Sequence, residues 1–288
     1  MLQYFLAVAR EQSISAAAEY LHITQPTLSR QLRDMEEELG CQLLIRGNRR
    51  VMLTEQGMLL RKRAEEILEL VHKAEDEMNI SSDSVTGDIT IGAGESGAFR
   101  RVAQLAREVQ SRQTGIRFHT FSGEKAELME RLDKGLMDFA VLLGDVDAAR
   151  YEAVPLPEKD AWGVLLPAAH PLAERSSLTP GDLERTPLLL PRSELEDGDV
   201  SRWFLRAGCT MQVAGTFSLM QSAALMAEAG MGLAVTLSSL SGRFAPELSF
   251  RPLEPALTVG ASVVWKRYQI FSRAGEVFAQ ALRDSVKP

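Results

Sequence analysis

Thr24-Gln25-Pro26-Thr27-Leu28-Ser29-Arg30-Gln31-Leu32-Arg33 is the segment on which the reading of this 288-residue chain turns. Leu28, Leu32, Met35 and Leu39 recur at i, i+4, i+7 and i+11, the spacing of one buried helical stripe; Thr24 can cap that helix, and Pro26 fits its first turn. Thr27, Arg30 and Arg33 fall on the opposite face. Upstream, Ser13 is placed to cap a shorter helix whose Ala16-Ala17-Ala18 allow close crossing, and Leu21-His22-Ile23 makes a tight connection. Two helices joined by a short turn, the second showing small polar and Arg side chains near its start, suit a reader of the major groove. The competing interpretation is an ordinary helical hairpin in which Arg30 and Arg33 are merely solvated.

The next residues favour the first interpretation. Leu43-Leu44-Ile45-Arg46-Gly47-Asn48-Arg49-Arg50-Val51-Met52-Leu53-Thr54 holds two short apolar runs around a Gly-Asn tip flanked by arginines. Gly-Asn is a hairpin signal, so this segment is predicted to be a β-wing whose arginines reach phosphates or a minor groove.

These residues resemble the LysR-type transcriptional regulators. Phe5, Ser13, Ala16-Ala17-Ala18, Leu21, Gln25-Pro26-Thr27-Leu28-Ser29, Leu32, Glu36 and Leu39, Gly40, Leu43, Arg46, Leu53-Thr54 and Gly57 look like that family's winged helix-turn-helix. A looser resemblance extends over the whole chain. Leu44 departs from the pattern, which usually has Phe there; the change affects packing under the wing and leaves the DNA-facing residues untouched. The expected DNA-binding set is Thr24, Gln25, Pro26, Thr27, Ser29, Arg30, Arg33, Arg46, Arg49 and Arg50. Within it, Thr27 and Arg30 are expected at base edges, with Arg33, Arg46, Arg49 and Arg50 on phosphates. Expected partners are double-stranded DNA, a small anionic or polar effector, a second copy or a tetramer of the chain, and RNA polymerase.

The net charge of −7 excludes a generally basic nucleic-acid coat. Residues 1–54 hold six Arg and six Asp or Glu, so DNA binding must come from where the arginines sit. The acidic run Glu36-Glu37-Glu38 is expected to be solvated charge. Cys41 and Cys209 lie far apart without metal or CxxC spacing and are expected to be reduced structural thiols. No signal peptide is apparent, and the uncharged run of residues 207–227 is too polar for a membrane span, so a cytoplasmic location is expected.

Residues 55–80 contain no proline. Leu60, Ala64, Ile67, Val71, Ala74 and Met78 step by 4, 3, 4, 3 and 4, a heptad seam predicting a dimerising helix, the alternative being a helix packed on its own domain. Dimerisation would fix two readers at one spacing and combine two half-sites. The polar residues 81–86 are expected to form a hinge. Beyond them strand and helix patterns alternate, which predicts an α/β domain with a parallel sheet covered on both faces. Tyr151-Glu152-Ala153-Val154-Pro155-Leu156 has a counterpart in Leu248-Ser249-Phe250-Arg251-Pro252-Leu253, and the two are expected to be crossings between twin subdomains, 87–157 with 257–288 and 158–256. That is the architecture of a periplasmic-binding-protein-like effector domain, which the family resemblance also implies.

Gly92-Ala93-Gly94-Glu95-Ser96-Gly97 formally matches GxGxxG, so a nucleotide-binding enzyme is the alternative function. The acidic residue expected about 20 positions on is missing; the second strand offers Arg117 and His119 instead. The glycines suit room for a small effector at a helix N-terminus. Ser96 misses GxSxG, and the four histidines show no ligand spacing, so no catalytic residue, metal site or cofactor is nominated. The effector-binding candidates are Ser96, Ser122, Ser218 and Thr236, at carboxyl ends of strands; Ser96 and Ser122 are equally open to being helix caps. A plain solute-binding protein is disfavoured by the presence of residues 13–54.

Overall fold

Three short helices, α1 (Leu2–Glu11), α2 (Ile14–Tyr20) and α3 (Gln25–Leu39), enclose one core of Phe5, Val8, Ala17, Leu28, Leu32 and Met35, closed by Leu43 and Leu44. They belong to the first of two units, Met1–Ile80 and Ser81–Pro288, each described by itself. The structure is a computed structural model; it describes residues 1–47, 50–78, 85–195, 198–242 and 247–286, with backbone alone at Asp76 and Glu77.

Ser13 caps α2 as expected, its Oγ accepting the Ala16 N–H at 3.3 Å. Ala17 and Ala18 are buried at the crossing, and His22, at φ 55°, turns the chain between α2 and α3. Two expectations about α3 need correction. Leu39 is 51% exposed, because α3 overruns the core by a turn and Gly40 then ends it in a left-handed cap, after which Leu43 and Leu44 fill the interior. Thr24 stands at the N-cap, but its hydroxyl bonds the Thr27 hydroxyl at 2.8 Å instead of a backbone amide. The wing is an antiparallel pair, β1 (Leu44–Arg46) and β2 (Val51–Leu53), with Leu44 opposite Leu53 and Arg46 opposite Val51. Asn48 and Arg49 at its tip lie outside the described residues.

The Thr54 hydroxyl accepts the Gly57 N–H at 2.9 Å and opens α4 (Glu55–Met78), which packs on α1 and β2. The seam splits along its length. Leu60 packs against the helical core and Ala64 is fully buried, whereas Ile67 (46%), Val71, Ala74 and Met78 are exposed. Leu70, which the heptad count passes over, joins this exposed apolar face. Of the hinge at 81–86, residues 81–84 lie outside the described residues, and Thr86 already begins a strand.

The second unit runs β3 (Thr86–Ala93), α5 (Phe99–Arg112), β4 (Gly115–Ser122), α6 (Lys125–Asp133), β5 (Phe139–Leu143) and β6 (Tyr151–Pro167). It continues through α7 (Pro180–Leu183), β7 (Pro187–Pro191), α8 (Asp199–Arg206), β8 (Gln212–Phe217), α9 (Met220–Glu228) and β9 (Leu233–Leu237). It ends with α10 (Ser238–Ser241), β10 (Leu248–Pro252), β11 (Thr258–Lys266) and α11 (Arg273–Asp284). The strands order β4-β3-β5-β11-β6-β9-β7-β8, with β10 also on β6.

The expectation of a parallel sheet holds only at the two ends. β4-β3-β5 and β9-β7-β8 are parallel, but β5-β11, β11-β6, β6-β9 and β6-β10 are antiparallel. The βαβ crossovers generate the parallel ends. Of the two long strands that pass from one end to the other, β11 runs against β5 and β6 runs against β9, and the two run against each other, directions that depend on tertiary pairing alone. Helices do cover both faces, and the apolar residues divide accordingly. Ile89, Ile91, Val102, Ile116, Phe139, Val263 and Phe278 form a core at one end, and Leu128, Leu132 and Met137 pack under α6. Val164, Leu188, Leu190, Val200, Phe204 and Val235 form a core at the other, with Ala223, Ala224 and Ala234 under α9.

The first crossing and the strand-like run after it are one 17-residue strand, β6. It pairs with β11 through residues 151–155 and 159–161, while Leu156, Pro157 and Glu158 stand opposite Ala261 alone at a register shift. Residues 162–167 then pair with β9 and β10. Val259 packs in the second core and Ala261 in the first, so β11 passes between cores there.

Candidate nucleic-acid interface and ligand cleft

α3 presents Thr24, Gln25, Pro26, Thr27, Arg30 and Arg33 to solvent, while Leu28, Ser29, Leu32 and Met35 face inward. This exposed face thus carries small hydroxyls, an amide and two guanidinium groups, the donors and acceptors that base edges and phosphates require. Arg30 is 80% exposed, and its ion pair with Asp34, Nε at 4.0 Å, is too long and too wet to hold it.

Ser29, nominated for DNA contact, is buried (7% exposed) and does something else. Its Oγ accepts from Arg46 Nη1 at 3.2 Å, which anchors the first wing arginine beside α3. Glu36 completes the anchor, and it is not the solvated charge that its acidic run suggests. Its Oε1 accepts the Leu43 N–H at 2.7 Å and the Leu44 N–H at 3.0 Å, and its Oε2 lies 3.7 Å from Arg46 Nη2. A single carboxylate therefore ties the root of the wing to the inner side of α3. Two consecutive amides turned toward one acidic residue seven positions back leave no periodic trace in the sequence. Arg50 is exposed, and its carbonyl accepts the Gly47 N–H at 3.1 Å; Arg49 is outside the described residues.

In the second unit the carboxyl ends of β3, β4, β8 and β9 carry loops that meet. The Gly123 N–H donates to the Ala93 carbonyl at 3.3 Å, joining the loops after β3 and β4. The Met220 N–H donates to Glu95 Oε2 at 2.6 Å, and the Gly97 N–H to Ser239 Oγ at 2.8 Å, joining the loop after β3 to the starts of α9 and α10. Ser96, half-buried, sits between the two bonding residues, and Ser218 lies two positions before Met220. Ser122 and Ser218 are exposed; Thr236 is buried inside β9, opposite Gly163 of β6, instead of standing in a ring of open donors. Neither Ser96 nor Ser122 caps a helix, since the N-cap positions belong to Ala98 and Glu124. Asp160 of β6 gathers the far side, accepting from Ala161 N–H, Ser238 Oγ, Ser239 N–H and Ser239 Oγ. Glu95, Asp160 and Ser239 were not legible as site residues, because their partners lie 125, 79 and 142 positions away.

Packing explains the glycines that resemble a dinucleotide fingerprint. A Cβ on Gly92 would come within 2.7 Å of Leu128 Cδ2 and Met137 Sδ, and one on Gly97 within 2.3 Å of Ser239 Cβ. Both glycines make room for neighbouring protein atoms. Arg117 and His119, standing where an acidic residue would be wanted, pair with Asp88 on the adjacent strand at 2.6 and 3.1 Å. Among the described residues no cluster of His, Cys, Asp and Glu could hold a metal ion, and Cys41 and Cys209 are half-buried free thiols. No helix among them is long and apolar enough to cross a membrane.

Comparison with known proteins assigns both units. Residues 1–58 match the family described as bacterial regulatory helix-turn-helix protein, lysR family, and residues 82–287 match the LysR substrate binding domain. The chain is 28% identical over 274 residues to the HTH-type transcriptional regulator BudR of Raoultella terrigena, covering 93% of this chain and 94% of that one. It is 36% identical over 141 residues, 49% of its length and 48% of the relative's, to the HTH-type transcriptional regulator BsdA of Bacillus subtilis. Its fold is similar to the crystal structure of CbnR, a LysR family transcriptional regulator, with a TM-score of 0.80 over 100% of this chain and 98% of that one at 22% identity. These relatives are regulators, which removes the nucleotide-binding enzyme as an alternative. The chain belongs to the LysR family and is a DNA-binding transcriptional regulator with a helix-turn-helix at its amino end and a substrate-binding domain behind it.

Proposed function

We propose that α3 enters the major groove, with Thr27 and Arg30 at base edges and Thr24, Gln25 and Pro26 along the approach, while Arg33, Arg46, Arg49 and Arg50 position the chain on phosphates. Ser29 acts indirectly, by holding Arg46. The observation that supports this most is the exposed start of α3 backed by an anchored wing arginine, within residues 1–54, whose six Arg and six Asp or Glu balance. A full-length CbnR has been crystallised in complex with its target DNA, and the first unit of this chain contacts DNA in the same way in this proposal.

The second unit works as a sensor in this proposal. Subdomains 87–157 with 257–288 and 158–256 flank a cleft that takes a small effector, with Ser96, Ser122 and Ser218 offering hydroxyls and Thr236 in its wall. The exposed face of Ile67, Leu70, Val71, Ala74 and Met78 on α4 pairs with a second copy, so that two readers address two half-sites; pairing of such dimers gives a tetramer. Effector binding then biases the population of DNA-bound geometries, with RNA polymerase as the downstream partner in the cytoplasm.

The test is selection of binding duplexes from a random pool with the full chain, followed by titration of wild type and Arg30→Ala on the selected and a scrambled duplex. Loss of a base contact costs about 1–3 kcal/mol on the selected duplex alone. Equal losses on both duplexes remove Arg30 from base reading.

A further inference from the structure

We propose that the effector cleft is held shut by a latch of the chain's own groups, Glu95 on the Met220 amide and Ser239 on the Gly97 amide, which an effector must break to enter. This rests on the reading of the cleft as the effector site.

Each bolt joins the loop after β3, at one end of the sheet, to the start of a helix at the other. α9 begins after Leu219, whose side chain cannot cap it, and the Glu95 carboxylate supplies the missing acceptor from across the cleft. A carboxylate on a helix's first amides makes a charge-assisted bond that also complements the helix dipole. In the second bolt the Ser239 hydroxyl hydrogen points to Asp160 Oδ2. A hydroxyl has a single proton to give, so its oxygen is left to accept from Gly97. Asp160 also accepts the Ser239 and Ala161 amides, so Ser239 is presented from a fixed base. The contact is close enough that only glycine fits at position 97. The Glu95 carboxylate and the Gly97 amide thus stand two residues apart in one short loop, so that breaking one bolt frees the segment carrying the other.

The test is hydrogen exchange of the full chain. In Glu95→Ala, the Met220 and Gly97 amides should both exchange about tenfold faster, while Ile91 and Val164 inside β3 and β6 keep their wild-type protection. Ser239→Ala should accelerate Met220 in return, and Gly97→Ala, a wedge that alters no charge, should do the same. Sodium acetate, matched against sodium chloride at equal ionic strength, should restore Gly97 protection in Glu95→Ala saturably. Acceleration confined to the amide whose own partner was removed would reduce the latch to two independent bonds and overturn it, as would acetate acting no better than chloride. Should Glu95→Ala not fold, Glu95→Gln, which keeps an acceptor without the charge, carries the same comparison. A metabolite that stabilises the chain yet leaves both amides protected would overturn the latch and keep the effector reading. Coupled bolts with no metabolite bound would keep the latch and dismiss that reading.

Discussion

Removing the Glu36 carboxylate should loosen the wing from the helix it serves. Glu36→Ala leaves the amides of Leu43 and Leu44 without their acceptor and Arg46 without its pair. Hydrogen bonds to a charged acceptor contribute about 1.5–3 kcal/mol each; the root of the wing is only partly buried, so the low end applies and the two together come to about 3 kcal/mol. Arg46 is one-third exposed and adds little. Glu36→Gln keeps one oxygen for both amides and loses only the charge, about 1 kcal/mol. In a unit of this size each kcal/mol moves the melting midpoint by roughly 4–8 °C. Glu36→Ala should therefore lower it by more than about 12 °C, with Glu36→Gln in between. Scanning calorimetry of the full chain reads this in the transition that added duplex raises, since DNA binds the folded first unit. A drop of less than about 3 °C in Glu36→Ala, or a glutamine variant as damaged as the alanine one, would refute the assignment of Glu36 as the wing's tether.

Ile67→Asp places a charge on the exposed face of α4, where burial against a second copy would cost far more than exposure to water. Sedimentation should show a smaller species with both units still folded, and an unchanged oligomer would dismiss the face as an interface. Ser96→Ala should lower the calorimetric affinity for whichever metabolite emerges from a thermal-shift screen and leave the melting temperature alone; unchanged affinity moves the site elsewhere. Burial, and then its 2.6 Å bond to Asp133, push the Tyr151 phenol up to about 12. A raised value favours the neutral phenol in the fold, so its contribution is full below the ordinary value of 10.0 and is lost as pH rises through about 12. Urea midpoints of Tyr151→Phe should consequently fall less than those of wild type across that window, and parallel falls would count against the shift.

The helix pair, the wing and the alternation of strands and helices were legible because each writes a local period into the sequence. Leu28, Leu32 and Met35 are buried as their spacing says; Leu39 obeys the same spacing and is exposed, since the period cannot tell where the core beneath a helix ends. Strand direction was not legible for a related reason. β6 and β11 have the apolar runs of any central strand, and whether they lie parallel to β5 is decided by pairing between residues far apart in the chain, such as Ala261 with Leu143 and Trp265 with Glu152. The polar sites fared worst. Ser29 falls among the DNA-facing positions of α3 by sequence, yet it serves Arg46 from beneath. Glu36, Glu95 and Asp160 leave no local signal, because an acidic side chain reads as solvated until its donors are known.

The three residues of β6 that face Ala261 alone include Pro157, with Pro155 just before them. Proline fixes its own φ near −65° and has no N–H to give a neighbouring strand. Any swivelling of one half of the second unit against the other along β6 would then have to be absorbed by the few torsions left free around Leu156 and Glu158. A joint so constrained behaves as a torsion bar with one soft axis. Were the halves to turn against each other, the rotation would be confined to those few torsions and would follow the same axis each time.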